Sequence, residues 1–461
     1  MHYWRHCIAI ASGILIGGHV MATPTPEEAK QLGTTLTPVG AEKAGNKDGT
    51  IPAWDGGICT PPAGYKPKMG AAAGGAPYVD PFANEKPLYR ITAANLSQYG
   101  DKVDAGTKEL FKRYPNTYVM DVYPSHRTAC MPKWVYENTA KRIMNPKLIG
   151  SAPGITGAHA QIPFPIPKNG YEVMWNMVLK WEPTNFRFGL DAGLMDASGT
   201  FTRASYQIAD TQNLYWDNTL TTVPEDRPYR NLLAWSKEPA SQAGLAQLRT
   251  TYLRQDLHED VAWSYVPGQR RVRRAPEFTY DTVSTTSGGL LIFDEINGWD
   301  GRMDKYDFKL VGKKEVYLPY NNYKALAAPI EEAMAKDHEN PAVMRWELHR
   351  VWMVEGTLKP GERHIQQKKV FLIDEDSWMS PVYYALDHSG KVHHLMHLPL
   401  IQEYEKPGPR TLGFILYDMS RGIYGFQTKP QGRPDQYGVI TIDKFPQNRF
   451  LPDALAGAGV R

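Results

Sequence analysis

Apolar residues along this chain recur mainly at every second position, in runs bounded by Gly, Pro, Asn and Asp. That is the signature of strands joined by turns. The clearest run is 171–181. Tyr171, Val173, Trp175, Met177, Leu179 and Trp181 share one parity, and Glu172, Asn176 and Lys180 the other, with Met174 and Val178 between them. On a strand this places three large aromatics on one face. Further strands are predicted at 201–209, 248–255, 260–266, 289–296, 306–310, 345–358, 368–373, 382–386, 392–398, 413–418 and 438–443. Short helices are predicted at 26–32, 93–98, 105–113 and 329–336. The first has Thr25 as N-cap and Gly33 as its stop, and the third ends at Tyr114-Pro115. Long strands in succession, with tight turns such as Pro267-Gly268 and Lys359-Pro360-Gly361, indicate a mainly β protein. Its centre is a large antiparallel sheet that curls, with few helices to cover it. Residues 23–115, broken up by Pro and Gly, read as an extended wrapping segment with a flexible loop at 70–75; residues 116–461 read as the β-rich domain.

Composition narrows this picture. Forty glycines and 36 prolines disfavour helical bundles, while 42% hydrophobic residues supply a core and exclude disorder as the dominant state. The net charge is +3 with mixed signs, and no Lys/Arg block offers a nucleic-acid footprint. Residues 1–22 read as a signal peptide. Arg5 precedes an apolar run that is too short to span a bilayer and that leads to Val20-Met21-Ala22. Export to an oxidising compartment turns the two remaining cysteines, Cys59 and Cys130, into a candidate disulfide; two separate buried thiols are the alternative.

Candidate chemistry is sparse. There is no nucleophile elbow, zinc-protease helix, phosphate loop or dinucleotide fingerprint, so no catalytic residue, cofactor or metal is assigned. On a strand His393 and His397 share a face and His394 opposes them, which favours a solvated or hydrogen-bonded strand over a metal site. Asp374-Glu375-Asp376 lacks a calcium-loop ladder and reads as a solvated turn. The stretch 263–276 is more informative: Trp263 and Tyr265 precede a Pro-Gly turn into Arg270, Arg271, Arg273 and Arg274. Guanidiniums beside aromatics suit an anionic group on an apolar body, unless they pair with Asp256, Glu259, Asp260 or Asp281. In 345–358, Trp346, Leu348, Trp352 and Val354 make a further apolar face. Few helices are available to cover so many aromatic strand faces, which points to a ligand cavity.

Four stretches carry a family resemblance: Leu36-Thr37-Pro38-Val39-Gly40-Ala41-Glu42-Lys43-Ala44-Gly45 continuing to Trp54, Ile162-Pro163-Phe164-Pro165-Ile166-Pro167 continuing to Asn176, 267–276, and Val311-Gly312-Lys313-Lys314-Glu315 continuing to Asn321. Together they resemble a large Gram-negative family of exported proteins of unknown function, labelled outer-membrane lipoprotein-sorting proteins and distantly similar to the lipoprotein carrier LolA and receptor LolB. The family tends to carry His where this chain has Met177, so no role for that His transfers.

The resemblance implies a LolA/LolB-like half-barrel acting as a periplasmic carrier of a lipid or other hydrophobic molecule, with an inner-membrane hydrophobe exporter and an outer-membrane protein as partners. On this reading Tyr171, Val173, Trp175, Met177, Leu179, Trp181 and Trp352 line the cavity. Trp263 and Tyr265 flank its mouth, and Arg270, Arg271, Arg273 and Arg274 meet a headgroup. The protein is then not an enzyme. Two other readings stay open: a hydrolase of lipid or glycan with a carboxylate pair drawn from distant strands, and a ligand-free adaptor between exporter and outer membrane.

Overall fold

The computed structural model describes residues 24–66, 78–150, 154–224, 226–275, 280–411, 413–428 and 439–458. Residues 1–22, expected to be a signal peptide, and 70–75, expected to be a flexible loop, lie outside them. Sixteen strands join one sheet: β1 (Tyr89–Ile91), β2 (Met120–Val122), β3 (Asn185–Met195), β4 (Phe201–Asn213), β5 (Arg230–Glu238), β6 (Ala246–Thr251), β7 (Val261–Val266), β8 (Arg271–Arg274), β9 (Tyr306–Pro319), β10 (Trp346–Leu358), β11 (Lys368–Asp374), β12 (Val382–Leu386), β13 (Val392–His397), β14 (Gly413–Asp418), β15 (Ile423–Thr428) and β16 (Val439–Thr441). Their order is β1-β2-β10-β11-β12-β13-β14-β15-β3-β4-β5-β6-β7-β8, with β9 also on β10 and β16 on β3. All pairings are antiparallel except one parallel bridge between β2 and β10. Among the described residues the two ends do not pair, so the sheet is open. The fold class is the expected one, mainly β around a single large antiparallel sheet.

From β11 to β15 both faces of the sheet are buried. Val370, Leu372, Val382, Tyr384, Leu395, Ile415 and Tyr417 point into one apolar cluster, and Phe371, Ile373, Tyr383, Met396, Phe414 and Leu416 into another. Three helices of some length provide cover: α1 (Ala105–Arg113), α2 (Lys133–Arg142) and α3 (Gly170–Val178). Helix α1 starts where the Asp104 carboxylate accepts from the Thr107 N–H at 2.9 Å. It presses Leu110 and Phe111 onto the first cluster. A Cβ on Gly106 would stand 2.7 Å from Leu395, so only glycine permits that approach.

The run 171–181 is α3 and a short extension, not a strand. Asn169 caps it by accepting from the Glu172 N–H at 3.0 Å, and the Glu172 carboxylate accepts from the Lys168 N–H at 2.6 Å. Val173, Met174, Trp175, Asn176 and Met177 are all buried, which a strand facing a cavity on one side does not require. A helix apolar on every side belongs inside a core, and a short apolar run does not distinguish the two periods.

Smaller corrections follow the same logic. Residues 289–296 form a bridge at Ile292 and a 3-10 segment, Phe293–Gly298, rather than a strand, because Gly288 and Gly289 sit at φ 66° and 76°. The helices predicted at 26–32, 93–98 and 329–336 are single turns at Pro26–Ala29, Leu96–Tyr99 and Ile330–Ala333. Asp374, Glu375 and Asp376 are 0%, 1% and 4% exposed, so that turn is not solvated. Glu375 and Asp376 pair instead with guanidiniums, described below. Cys59 and Cys130 are bonded, with Cα atoms 5.3 Å apart, tying the N-terminal segment to the body.

Candidate functional site

A cavity of about 120 Å³ opens between the inner face of β3–β7 and the segment 284–297. Its floor follows from side-chain size. Ala209 on β4 pairs in register with Ala234 on β5, and Ala262 on β7 pairs with Arg249 on β6. These alanines stand at inward positions, where larger side chains would meet the covering segment. Phe186, Phe188 and Leu232 form apolar walls, and Leu291, Phe293 and Ile296 the roof. The opposite face of the same strands is closed: Tyr206, Ile208, Leu233, Trp235 and Tyr265 pack under Leu455.

One side of the cavity is polar. Arg230 and Arg249 both donate to Asp300 Oδ2 at 2.9 Å, and Arg249 also donates to Asp260 Oδ2 at 2.9 Å. The Arg249 Nε–H is buried with no acceptor among the described residues. Glu182, Gln207 and Gln247 complete this side. The cavity is therefore amphipathic, with an apolar trough and an unspent hydrogen-bond donor beside it.

The roof is held unequally at its two ends. At 284–291 it is tied by the Ser205 hydroxyl donating to the Thr286 carbonyl at 2.6 Å and by Arg421 donating to the Gly289 carbonyl at 2.9 Å. At 294–295 it enters a fully buried charged network. Lys369 lies 3.1 Å from Asp294, His364 3.0 Å from Asp294, and His394 2.7 Å from Glu295. Tyr383 donates to Glu295 at 3.0 Å. Burial opposes the charged form of Glu295, yet His394 outweighs it and holds the carboxyl down at about 2. Burial likewise opposes the imidazolium of His394, but Glu295 and Asp418 lift it to about 9.

A second buried network lies under the N-terminal segment. Arg127 makes a bidentate pair with Asp376, both bonds at 2.7 Å, and donates to the Glu42 carbonyl at 2.8 Å. Arg350 pairs with Glu375 at 2.7 Å and donates to the carbonyls of Glu42 and Ala44. Trp378 Nε1 reaches the Val39 carbonyl at 3.0 Å. Burial and the charge of Asp376 push the neighbouring Asp374 carboxyl up to about 7.

His397 completes a third set, Nε2 at 3.0 Å from the Thr107 hydroxyl and Nδ1 at 3.0 Å from Glu339. Hydroxyl, imidazole and carboxylate stand in the order of a hydrolytic triad. Thr107 and His397 are both 0% exposed, so the set has no route to a substrate in this structure and reads as a core bond network.

None of the thirteen residues predicted to bind ligand lines the cavity. Val173, Trp175, Met177, Leu179 and Trp181 are core residues in the cluster that also holds Leu290, Leu291 and Trp299, behind the roof. Tyr171 is half-buried and donates to the Tyr306 carbonyl at 3.1 Å. Trp352 stacks on Trp378, ring centroids 6.4 Å apart, under the Lys313 ammonium. Trp263 and Tyr265 lie on the closed face of β7. Arg271, Arg273 and Arg274 are exposed on β8, with Arg270 at its entrance, and among the described residues none makes an ion pair. The signal that marks the cavity is the set of inward alanines, which becomes visible only once the strand register is known.

Comparison with known proteins places the chain. A family model described as protein of unknown function (DUF1329) matches residues 90–456. An uncharacterized protein of Pseudomonas aeruginosa is 40% identical over 458 residues, covering 97% of this chain and 96% of that protein. Three solved structures each cover 62% of this chain. A putative outer membrane lipoprotein-sorting protein domain from Vibrio parahaemolyticus is 12% identical, 98% covered, with TM-score 0.43. A DUF1329 family protein from Desulfovibrio piger is 14% identical, 97% covered, with TM-score 0.43. A LolA superfamily protein from Nitrosomonas europaea is 11% identical, 99% covered, with TM-score 0.37. On the family model and the Pseudomonas relative, this chain belongs to the DUF1329 family of proteins of unknown function.

Proposed function

We propose that this protein is an exported carrier that binds a fatty-acyl amphiphile without altering it, with the acyl chain in the trough of β3–β7 and an acceptor oxygen of the head at Arg249. The observation that carries this reading is the amphipathic cavity: paired alanines and phenylalanines on one side, and a buried guanidinium with a free N–H on the other. Burying an unpaired donor costs roughly 1–3 kcal/mol, which a ligand carbonyl, carboxylate or phosphate oxygen would recover. Size sets a condition on loading. An engineered apolar cavity of about 150 Å³ holds one benzene, so about 120 Å³ takes only part of an acyl chain. Full occupancy then requires the roof to swing outward at 284–291, its less firmly held end. Handover would occur between an exporter in the inner membrane and an acceptor at the outer membrane.

Displacement of a fluorescent fatty acid, with mass spectrometry of an organic extract of the purified protein, tests this. Saturable probe binding that is lost in Ala234→Phe and weakened in Arg249→Gln, together with a recurrent acyl species near one per chain, supports it. Probe affinity equal in wild type and Ala234→Phe, or a clean extract with no probe binding, rejects it.

A further inference from the structure

We propose that His349, Asp374 and Asp376 form a binding site for one first-row divalent cation, zinc or manganese, beneath the N-terminal segment. Each residue offers one ligand atom, and the three atoms lie within 4.8 Å of one another. His349 comes from β10, Asp374 from the last position of β11, and Asp376 from the turn that follows.

The atoms around them are arranged to present ligands. His349 Nε2 is 3.1 Å from Glu347 Oε2, and Nδ1, on the other side of the ring, faces Asp374 Oδ1, 4.0 Å away. A carboxylate fixing the far nitrogen of a histidine is the usual support of a metal ligand. Glu347 is itself held by the His126 N–H at 2.8 Å and Asn321 Nδ2 at 3.0 Å. The imidazole stacks on Tyr320, centroids 3.8 Å apart, and the Tyr320 hydroxyl donates to Asp374 Oδ2 at 3.2 Å. Ser377 N–H also bonds Oδ2, at 2.9 Å. Both anchors act on Oδ2, and Oδ1, in a residue with no exposure, has no hydrogen-bond partner among the described residues.

Charge points the same way. Every other acid of this network faces a cation: Asp376 faces Arg127, Glu375 faces Arg350 and Lys313, and Glu347 faces Arg345. Asp374 makes no ion pair with an arginine or lysine among the described residues, and the His349 imidazole, 4.0 Å away, is the basic group that faces it. A ring nitrogen and an unbonded carboxylate oxygen facing each other across 4.0 Å in a buried site leave a place for a cation between them. A tetrahedral ion with bonds of about 2.1 Å holds its ligand atoms about 3.4 Å apart, so the pair would close by roughly half an ångström. Asp376, with both oxygens on Arg127, retains lone pairs for a third bond. One imidazole with two carboxylates suits zinc or manganese better than a soft cation. The ion would brace the turn whose guanidinium partners grip the backbone of residues 42–44.

Titration of chelator-stripped full-length protein with zinc and manganese, read by calorimetry and by melting temperature, tests the site. One ion per chain, a raised melting temperature, and at least a hundredfold loss of affinity in both His349→Gln and Asp374→Asn are expected, with no change in His393→Gln. No saturable binding, or binding that survives both variants, overturns it. Should the variants fail to fold, zinc X-ray absorption of the wild type decides. One imidazole in an oxygen shell supports the site; no imidazole, or two, overturns it.

Discussion

The two halves of the sheet solve the same packing problem in opposite ways. From β11 to β15 both faces are filled and charged groups are sealed inside; from β3 to β7 one face is hollow, and exposed cations sit on the edge strand β8 beyond it. The difference lies in the side chains at inward positions. Phe371, Tyr383, Met396 and Phe414 fill the first half, while Ala209, Ala234 and Ala262 leave the second half open. A filled, charge-locked half gives a fixed frame on which the roof can be anchored at 294–295, and the hollow half gives room for a guest.

That contrast can be broken experimentally. The largest effect is expected from Lys369→Ala, which removes the buried ammonium beside Asp294 and leaves it only His364; unfolding free energy should fall by about 3–5 kcal/mol in urea melts. Trp175→Ala, fully buried behind the roof, should cost a similar 3–5 kcal/mol. Its probe affinity should stay within about twofold of wild type, whereas a cavity residue would lose affinity at little cost in stability. Removing the Cys59–Cys130 bond, which closes a separation of 71 residues, should cost about 4 kcal/mol.

A fourth test uses pH. His394 is raised from 6.5 to about 9, so its pairing with Glu295 contributes fully below pH 6.5 and is lost as pH rises through 9. The groups facing it are Glu295, Asp418 and His393, with Lys369 and Asp294 beyond. Wild-type melting temperature should therefore drop between pH 6.5 and 9, and His394→Gln should flatten that slope. The smallest effect belongs to the edge strand β8: Arg271→Gln with Arg273→Gln should leave stability within about 0.5 kcal/mol.

The same contrast explains what the sequence could convey. Strands 368–373, 382–386 and 413–418 were legible because each is a short β-branched or aromatic run bounded by turns, and α1 because Asp104 caps it and Tyr114-Pro115 stops it. Residues 171–181 misled because alternate large aromatics imitate a strand, although Asn169 and Glu172 spell out a helix start. Strand β3 went unread because Gly189, Asp191 and Gly193 interrupt its pattern. The shortage of helices pointed to a cavity, but its place and lining were beyond reach for a different reason. An alanine is unremarkable until its cross-strand partner is known, and the pairings Ala209–Ala234 and Arg249–Ala262 are set by register. Buried charges were also misjudged: Asp374-Glu375-Asp376 has the composition of a solvated turn, and only the arrival of Arg127 and Arg350 from elsewhere in the chain seals it.

The inward alanines have a consequence for how such a protein diversifies. Because the hollow is made by the absence of side chains on regular strands, its length and width change in steps of one methyl or isopropyl group at 209, 234 or 262, with the backbone left alone. A lineage could thus exchange one guest for another by single substitutions, keeping the charged frame, the disulfide and the roof's anchor as common inheritance.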